Sequence, residues 1–210
     1  FYFLIVSEEM TGQVVAIEGA IGVGKTTAGM LLKDSYEHGN EKVAFFEEKV
    51  SEELLSLFLN DMKRYAFAFQ LSMLESRINT QKEARCFADS GGIAIIDRST
   101  IGDRAFAQLQ LHKGNITEEE WEVYNAIYQR NTHLPDKIIY LACTPQISLE
   151  RIRKRGRTSE TKDYTMEYLQ SLTQSYEDSL QNTFMIPITR VEWNTERNAK
   201  DIVKTLSCLL

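Results

Sequence analysis

Gly19-Ala20-Ile21-Gly22-Val23-Gly24-Lys25-Thr26 fills every fixed position of the pattern G-x-x-x-x-G-K-[ST]. Residues 13–18 before it form a short apolar run ending at a glycine, which reads as a buried strand. Residues 26–37 after it read as a helix that stops near His38-Gly39. Strand, glycine-rich turn and helix are the context this pattern requires. Its glycines let successive backbone N–H groups turn inward around a phosphate, and the helix N-terminus adds its partial positive charge. Gly19, Ala20, Ile21, Gly22, Val23, Gly24, Lys25, Thr26 and Thr27 are therefore the expected nucleotide-binding set. Lys25 can reach the β and γ phosphates, and the Thr26 hydroxyl can bind Mg²⁺.

Outward from this loop the chain keeps alternating. Strands are predicted at residues 42–46, 93–96, 137–141 and 184–191. Helices are predicted at residues 51–60, 62–87, 103–111, 117–131, 146–154, 164–181 and 196–206. Strands separated by helices imply an α/β fold, a central parallel five-stranded sheet covered on both faces, in three layers. In such sheets ligands gather outside the carboxyl ends of the strands. The polar clusters described next fall at those ends or on the helices that follow.

With 210 residues, 43% of them hydrophobic, the chain can bury one sizeable core. Residues 10–210 read as a single domain, and residues 1–9 as an N-terminal extension before Met10. Acids outnumber bases 30 to 24, for a net charge of -6, which argues against a nucleic-acid polymer or a membrane surface as partner. The charge is unevenly divided: residues 151–157 contribute +5, leaving -11 for the rest. Cys86, Cys143 and Cys208 are scattered and match no metal-ligand spacing, as expected of reduced thiols in an intracellular, cytoplasmic protein. The apolar opening of residues 1–6 is too short to span a bilayer and is followed by Ser7-Glu8-Glu9 rather than a cleavage pattern.

Three clusters point to a reaction. After the strand at 93–96 comes Asp97-Arg98-Ser99, which offers Asp97 to Mg²⁺ or its water and Arg98 to the acceptor region. After the strand at 42–46 comes Glu47-Glu48-Lys49-Val50. A carboxylate there suits a general base for a hydroxyl acceptor; an acceptor that is already a phosphate calls for cations instead. The run Arg151-Ile152-Arg153-Lys154-Arg155-Gly156-Arg157 is either a solvated helix face or a lid over a triphosphate, hinged at its glycine. Arg155 and Arg157 in such a lid stabilise transition-state charge. Gln70, Met73 and Arg77 share one helix face, and a glutamine amide offers the donor and acceptor that a base edge needs.

Together these pieces resemble the deoxynucleoside kinase family, the group containing deoxycytidine, deoxyguanosine and mitochondrial thymidine kinases. The similarity runs from about Val14 to Leu180 and rests on the phosphate loop, Glu48-Lys49-Val50, Phe69-Gln70 with Arg77, Asp97-Arg98-Ser99 with Asp103-Arg104, and the run from Arg151 to Arg157. The resemblance implies a P-loop kinase that phosphorylates a deoxynucleoside 5′-hydroxyl from ATP with Mg²⁺, as a homodimer. It implies Glu48 as general base, Arg98 orienting the 5′ oxygen, Gln70 on the base, Glu160 on the sugar 3′-hydroxyl, and Lys25, Arg151, Arg155 and Arg157 on the phosphates. Arg77 with Asp103 resembles the pair of the deoxycytidine and deoxyguanosine branch, which favours deoxyadenosine, deoxyguanosine or deoxycytidine over thymidine; the alternative is a plain helix-to-helix salt bridge.

The sequence also departs from the family pattern. Lys49 replaces a proline and a nearby tryptophan is absent, so Glu47 is the alternative base. Leu59 stands where a tyrosine often meets the 3′-hydroxyl, Phe106 comes one position early for a base-stacking aromatic, and Met73 fills a pocket position that is small in purine-active members. Two rivals share part of the pattern. A thymidylate or other nucleoside monophosphate kinase calls for an arginine where Phe45-Phe46 stand, and a P-loop regulatory module calls for an N-K-x-D element that is absent.

Overall fold

The computed structural model describes residues 12–36, 39, 41–131, 133–156 and 164–210. Among them are five strands: β1 (Gln13–Glu18), β2 (Val43–Phe46), β3 (Ile93–Asp97), β4 (Lys137–Ala142) and β5 (Ile188–Glu192). All pair in parallel, in the order β2-β3-β1-β4-β5. The helices among the described residues are α1 (Lys25–Ser35), α2 (Glu52–Asn60), α3 (Met62–Asp89), α4 (Thr100–His112), α5 (Glu118–Tyr128), α6 (Pro145–Arg155), α7 (Met166–Gln181) and α8 (Ala199–Leu206).

Burial follows sheet position. The central strands β1, β3 and β4 are continuous apolar runs buried on both faces, as a helix-covered parallel sheet demands. Each fully buried Ile or Val in them contributes about 1.5–3 kcal/mol. The edge strands β2 and β5 are only partly buried. Parallel pairing sets Ile17 against Asp97 and Glu18 against Tyr140, so β1 and β3 end within a residue of each other while β4 runs two residues further. The chain leaves β1 toward β2 and β3 on one side and β4 and β5 on the other. The crevice between β1 and β3 is therefore the topological switch point where ligands bind.

One predicted strand is displaced. The apolar stretch that begins at Phe184 suggests a strand over 184–191, but β5 starts at Ile188, and Phe184 and Met185 are 85% and 91% exposed. Pro187 has no N–H to give to a ladder; its carbonyl instead accepts from the Ile138 amide at 2.9 Å. Helix α4 starts three residues earlier than its apolar pattern suggests, because Ser99 caps it through its hydroxyl.

Helix α3, 28 residues long, runs past β3 and packs on α2 and α4. Its buried stripe holds Ala66, Phe69, Met73, Leu74 and Ala84, but also Gln70 and Arg77. Polar groups in such a stripe need partners or a ligand. Helices α4 and α7 lie side by side, joined by the Ser175 hydroxyl to the Ala105 carbonyl at 2.7 Å and the Ser179 hydroxyl to the Ile101 carbonyl at 3.2 Å.

Candidate active site

The phosphate loop packs closely against α6. At Gly22, φ is 78°, and a Cβ there would lie 2.7 Å from Ile152 and 2.9 Å from the Ser148 carbonyl, so only glycine fits. Gly24 caps α1, and Lys25 folds back so that its ammonium donates to the Ala20 carbonyl at 2.8 Å. Burial, and then the Arg98 charge, push the Lys25 pKa down to about 7 against the pull of Asp97 and Glu48. The Thr26 hydroxyl donates to Asp97 Oδ2 at 2.5 Å, while Asp97 Oδ1 is buried without a partner among the described residues.

Beside the loop opens a cavity of about 960 Å³. Its walls carry Ile21, Gly22, Gly24, Lys25, Thr26 and Thr27 from the loop, Glu47 and Glu48 after β2, Gln70, Met73 and Arg77 from α3, Asp97, Arg98, Asp103 and Phe106 from β3 and α4, and Arg151 and Arg155 from α6. The tertiary fold thus assembles residues spread over more than a hundred positions.

A chain of hydrogen bonds crosses the cavity floor. The Tyr124 hydroxyl donates to Asp103 Oδ2 at 2.6 Å. Arg77 pairs with Asp103 through one amino group and with Glu48 through the other. Arg98 Nη1 meets the second Glu48 oxygen at 2.8 Å, and Arg98 Nη2 reaches the Gly19 carbonyl at 3.3 Å. Burial alone raises the Glu48 pKa, but the Arg98 and Arg77 charges overcome it and bring it down to about 2. Burial also raises the Asp103 pKa, partly offset by Arg77 and the Tyr124 hydroxyl.

Most residues singled out in the sequence meet here. Glu48 lies between the two arginines, with its side chain 18% exposed, whereas Glu47 is exposed at the rim. Gln70 is buried, and its amide has no hydrogen-bond partner among the described residues. Arg151 faces the cavity but is engaged with the carbonyls of Val23, Trp193 and Thr195 at 3.1–3.2 Å, which props α6 against the loop. Arg155 ends α6, and Gly156 caps it with φ 72°. Arg157 and Glu160 lie outside the described residues, while the run from Arg151 to Arg155 forms the end of α6. Leu59 is buried in the core.

The sequence left other residues unmarked. Glu18 is fully buried and takes the Ser99 amide and hydroxyl at 2.7 and 2.6 Å. Tyr176 meets both Arg98 and Glu18. An acid ending a buried strand just before the loop was a readable signal for Glu18. Tyr176 gave none, because it sits in the apolar stripe of an ordinary amphipathic helix. Phe106 lines the cavity and lies under the Arg98 guanidinium, 5.0 Å from ring centroid to Cζ.

A phosphate loop facing a carboxylate across the switch point of a parallel sheet defines a P-loop phosphotransferase. Comparison with known proteins narrows the class. The family model "Deoxynucleoside kinase" matches residues 15–209. The chain is 33% identical over 194 residues to a deoxyadenosine kinase of Dictyostelium discoideum, covering 90% of this chain and 76% of that one. It is 31% identical over 192 residues to deoxycytidine kinase 2 of Gallus gallus, covering 78% and 72%. Its structure superposes on that of a deoxyadenosine kinase from M. mycoides with bound dCTP at a TM-score of 0.77 and 25% identity, covering 93% and 97%. The chain belongs to the deoxynucleoside kinase family and is an enzyme that phosphorylates deoxynucleosides. Among the described residues no helix is long and apolar enough to cross a membrane.

Proposed function

We propose that the enzyme transfers the γ-phosphoryl group of ATP to the 5′-hydroxyl of a deoxynucleoside, with Glu48 as general base. The observation that carries this reading is the position of Glu48, fixed by Arg98 and Arg77 on the wall of the cavity that the phosphate loop shares. As the 5′ oxygen bonds to the γ phosphorus and the bridge to the β phosphate breaks, the hydroxyl proton passes to Glu48. A carboxylate with a pKa near 2 stays ionised and takes that proton late, once the bond to phosphorus has made it acidic. Arg98 orients the 5′ oxygen, and Lys25, Arg155 and Arg157 offset the charge of the transferring group.

Thr26 and Asp97 fit a Mg²⁺ ion: a hydroxyl and a carboxylate already touch, and one buried carboxylate oxygen lacks a protein partner. Held there by Thr26 and Asp97, such an ion would supply positive charge to offset that of the phosphates.

Glu48 and Asp103 neutralise Arg77 and Arg98, so the acceptor end has no surplus positive charge. That balance supports a neutral alcohol over a nucleoside monophosphate. We assign Gln70 and Arg77 to the base edge, with Asp103 behind them. Adenine and cytosine both set an amino donor beside a ring-nitrogen acceptor, which matches the Gln70 amide. With relatives named deoxyadenosine and deoxycytidine kinase, this supports either of those nucleosides ahead of deoxyguanosine, and thymidine last. Residues 10–210 act as one domain, and Glu160 meets the sugar. By the same resemblance the enzyme is a cytoplasmic homodimer, a reading that three free cysteines fit.

The test is ADP release followed with each of the four deoxynucleosides and with thymidine monophosphate. Turnover of deoxyadenosine or deoxycytidine is expected; turnover of the monophosphate alone, or ATP hydrolysis indifferent to every nucleoside, contradicts the reading.

A further inference from the structure

Arg98 occupies an unusual backbone position. Its φ is 67°, in the left-handed region that a non-glycine residue enters only at a cost of about 1–2 kcal/mol. The turn from β3 into α4 therefore has to be held by its surroundings. Glu18 does this from beneath: one carboxylate oxygen accepts from the Ser99 amide and hydroxyl and from the Gly102 amide at 3.3 Å. The fit is close, because a Cβ on Gly102 would lie 2.1 Å from the other Glu18 oxygen.

The side chain of Arg98 is held from the same place. Its Nε–H donates to the Tyr176 hydroxyl at 3.1 Å, and that hydroxyl in turn donates to Glu18 Oε2 at 3.3 Å. Tyr176 is fully buried, stacked on Tyr140 at 6.1 Å and edge-on to Phe106 at 5.8 Å. Phe106 covers the guanidinium face. One edge of the guanidinium thus belongs to the scaffold, which leaves Nη1 turned to Glu48.

We propose that Tyr176, anchored on Glu18, is a positioning residue for phosphoryl transfer: it fixes the rotation of the Arg98 guanidinium, and through it the Glu48 carboxylate. Neither residue needs to touch substrate. Glu18 anchors the turn and the hydroxyl together, so the backbone and the side chain of Arg98 are set by a single buried group. The inference rests on the role proposed above for Arg98 at the 5′ oxygen.

The experiment is a double-mutant cycle of Tyr176→Phe with Arg98→Lys, because lysine keeps the charge but has no Nε–H to give. Phenylalanine keeps the stacking and the volume. Tyr176→Phe is expected to lower kcat by about 10- to 100-fold, the cost of misplacing a reacting group, with the nucleoside KM moved less than about 3-fold. Added to Arg98→Lys, it should lower kcat by less than about 2-fold more. Ser175→Ala and Ser179→Ala remove buried α4–α7 hydrogen bonds without touching Arg98, and should keep kcat. Glu18→Gln, which keeps the shape but withdraws the charge, should lower kcat as Tyr176→Phe does and stands in for it if that variant does not fold. Unchanged kcat in Tyr176→Phe and Glu18→Gln, or an equal loss with arginine and with lysine at position 98, overturns the proposal. Full activity of Arg98→Lys alone overturns the role of Arg98 instead.

Discussion

Glu48 and Arg98 meet at 2.8 Å between Oε2 and Nη1, joining the turn after β2 to the turn after β3 at the mouth of the crevice. With Arg77 on its other oxygen, Glu48 ties the α3 wall of the cavity to the turn after β3.

That arrangement has a pH signature. The folded-state pKa of Glu48 is depressed to about 2, so its contribution to stability is present above the carboxylate's ordinary range and is lost as pH falls toward 2. Glu48→Gln should therefore be less stable than the parent at neutral pH, by on the order of 3 kcal/mol for a broken buried pair. In thermal denaturation this is a drop of roughly 6–12 °C. The gap should narrow between pH 5 and 2; a gap independent of pH argues against the ion pairs.

Gln70 is expected to act in binding rather than in the chemical step. Gln70→Leu should raise the nucleoside KM by about 10-fold or more, the cost of leaving a base edge unpaired, with kcat largely kept. An unchanged KM for all four deoxynucleosides removes Gln70 from the base site.

The metal assignment is tested by titration. Chelation should abolish turnover, and Asp97→Asn should raise the Mg²⁺ concentration for half-maximal rate by about 10-fold or more. If the Mg²⁺ dependence of that variant matches the parent's, Asp97 does not serve the ion.

Gly22→Ala probes the loop itself. The added Cβ meets Ile152 and the Ser148 carbonyl within 3 Å at a positive φ. The ATP KM should rise by about 10-fold or more as the cradle opens, a strain of roughly 1–3 kcal/mol. A wild-type ATP KM would show that the loop binds by side chains alone.

The fold was largely legible because its signals are local. The glycine loop between an apolar strand and a helix fixes the strand end, and β1, β3 and β4 announce themselves as continuous apolar runs. The motifs also mark Glu48, Arg98 and Gln70, which the fold brings to one cavity wall. What stayed hidden is what depends on packing. Phe184 and Met185 look like strand residues and are exposed, because Pro187 delays the ladder. Tyr176 looks like one more apolar stripe residue until α7 is laid on α4 and its hydroxyl reaches Arg98, 78 positions away in sequence. The Arg77–Asp103 pair, open in sequence to two readings, is a buried salt bridge on the cavity wall, a placement that depends on how α3 packs on α4.

The central claim is that Glu48, and not its exposed neighbour Glu47, accepts the proton. The direct measurement is kcat for ADP release with deoxyadenosine or deoxycytidine in Glu48→Gln and Glu47→Gln, each checked for folding. Loss of a positioned base should lower kcat by about 100- to 10,000-fold in Glu48→Gln, with Glu47→Gln within about 3-fold of the parent. Full activity in Glu48→Gln, or the large loss in Glu47→Gln instead, contradicts the account.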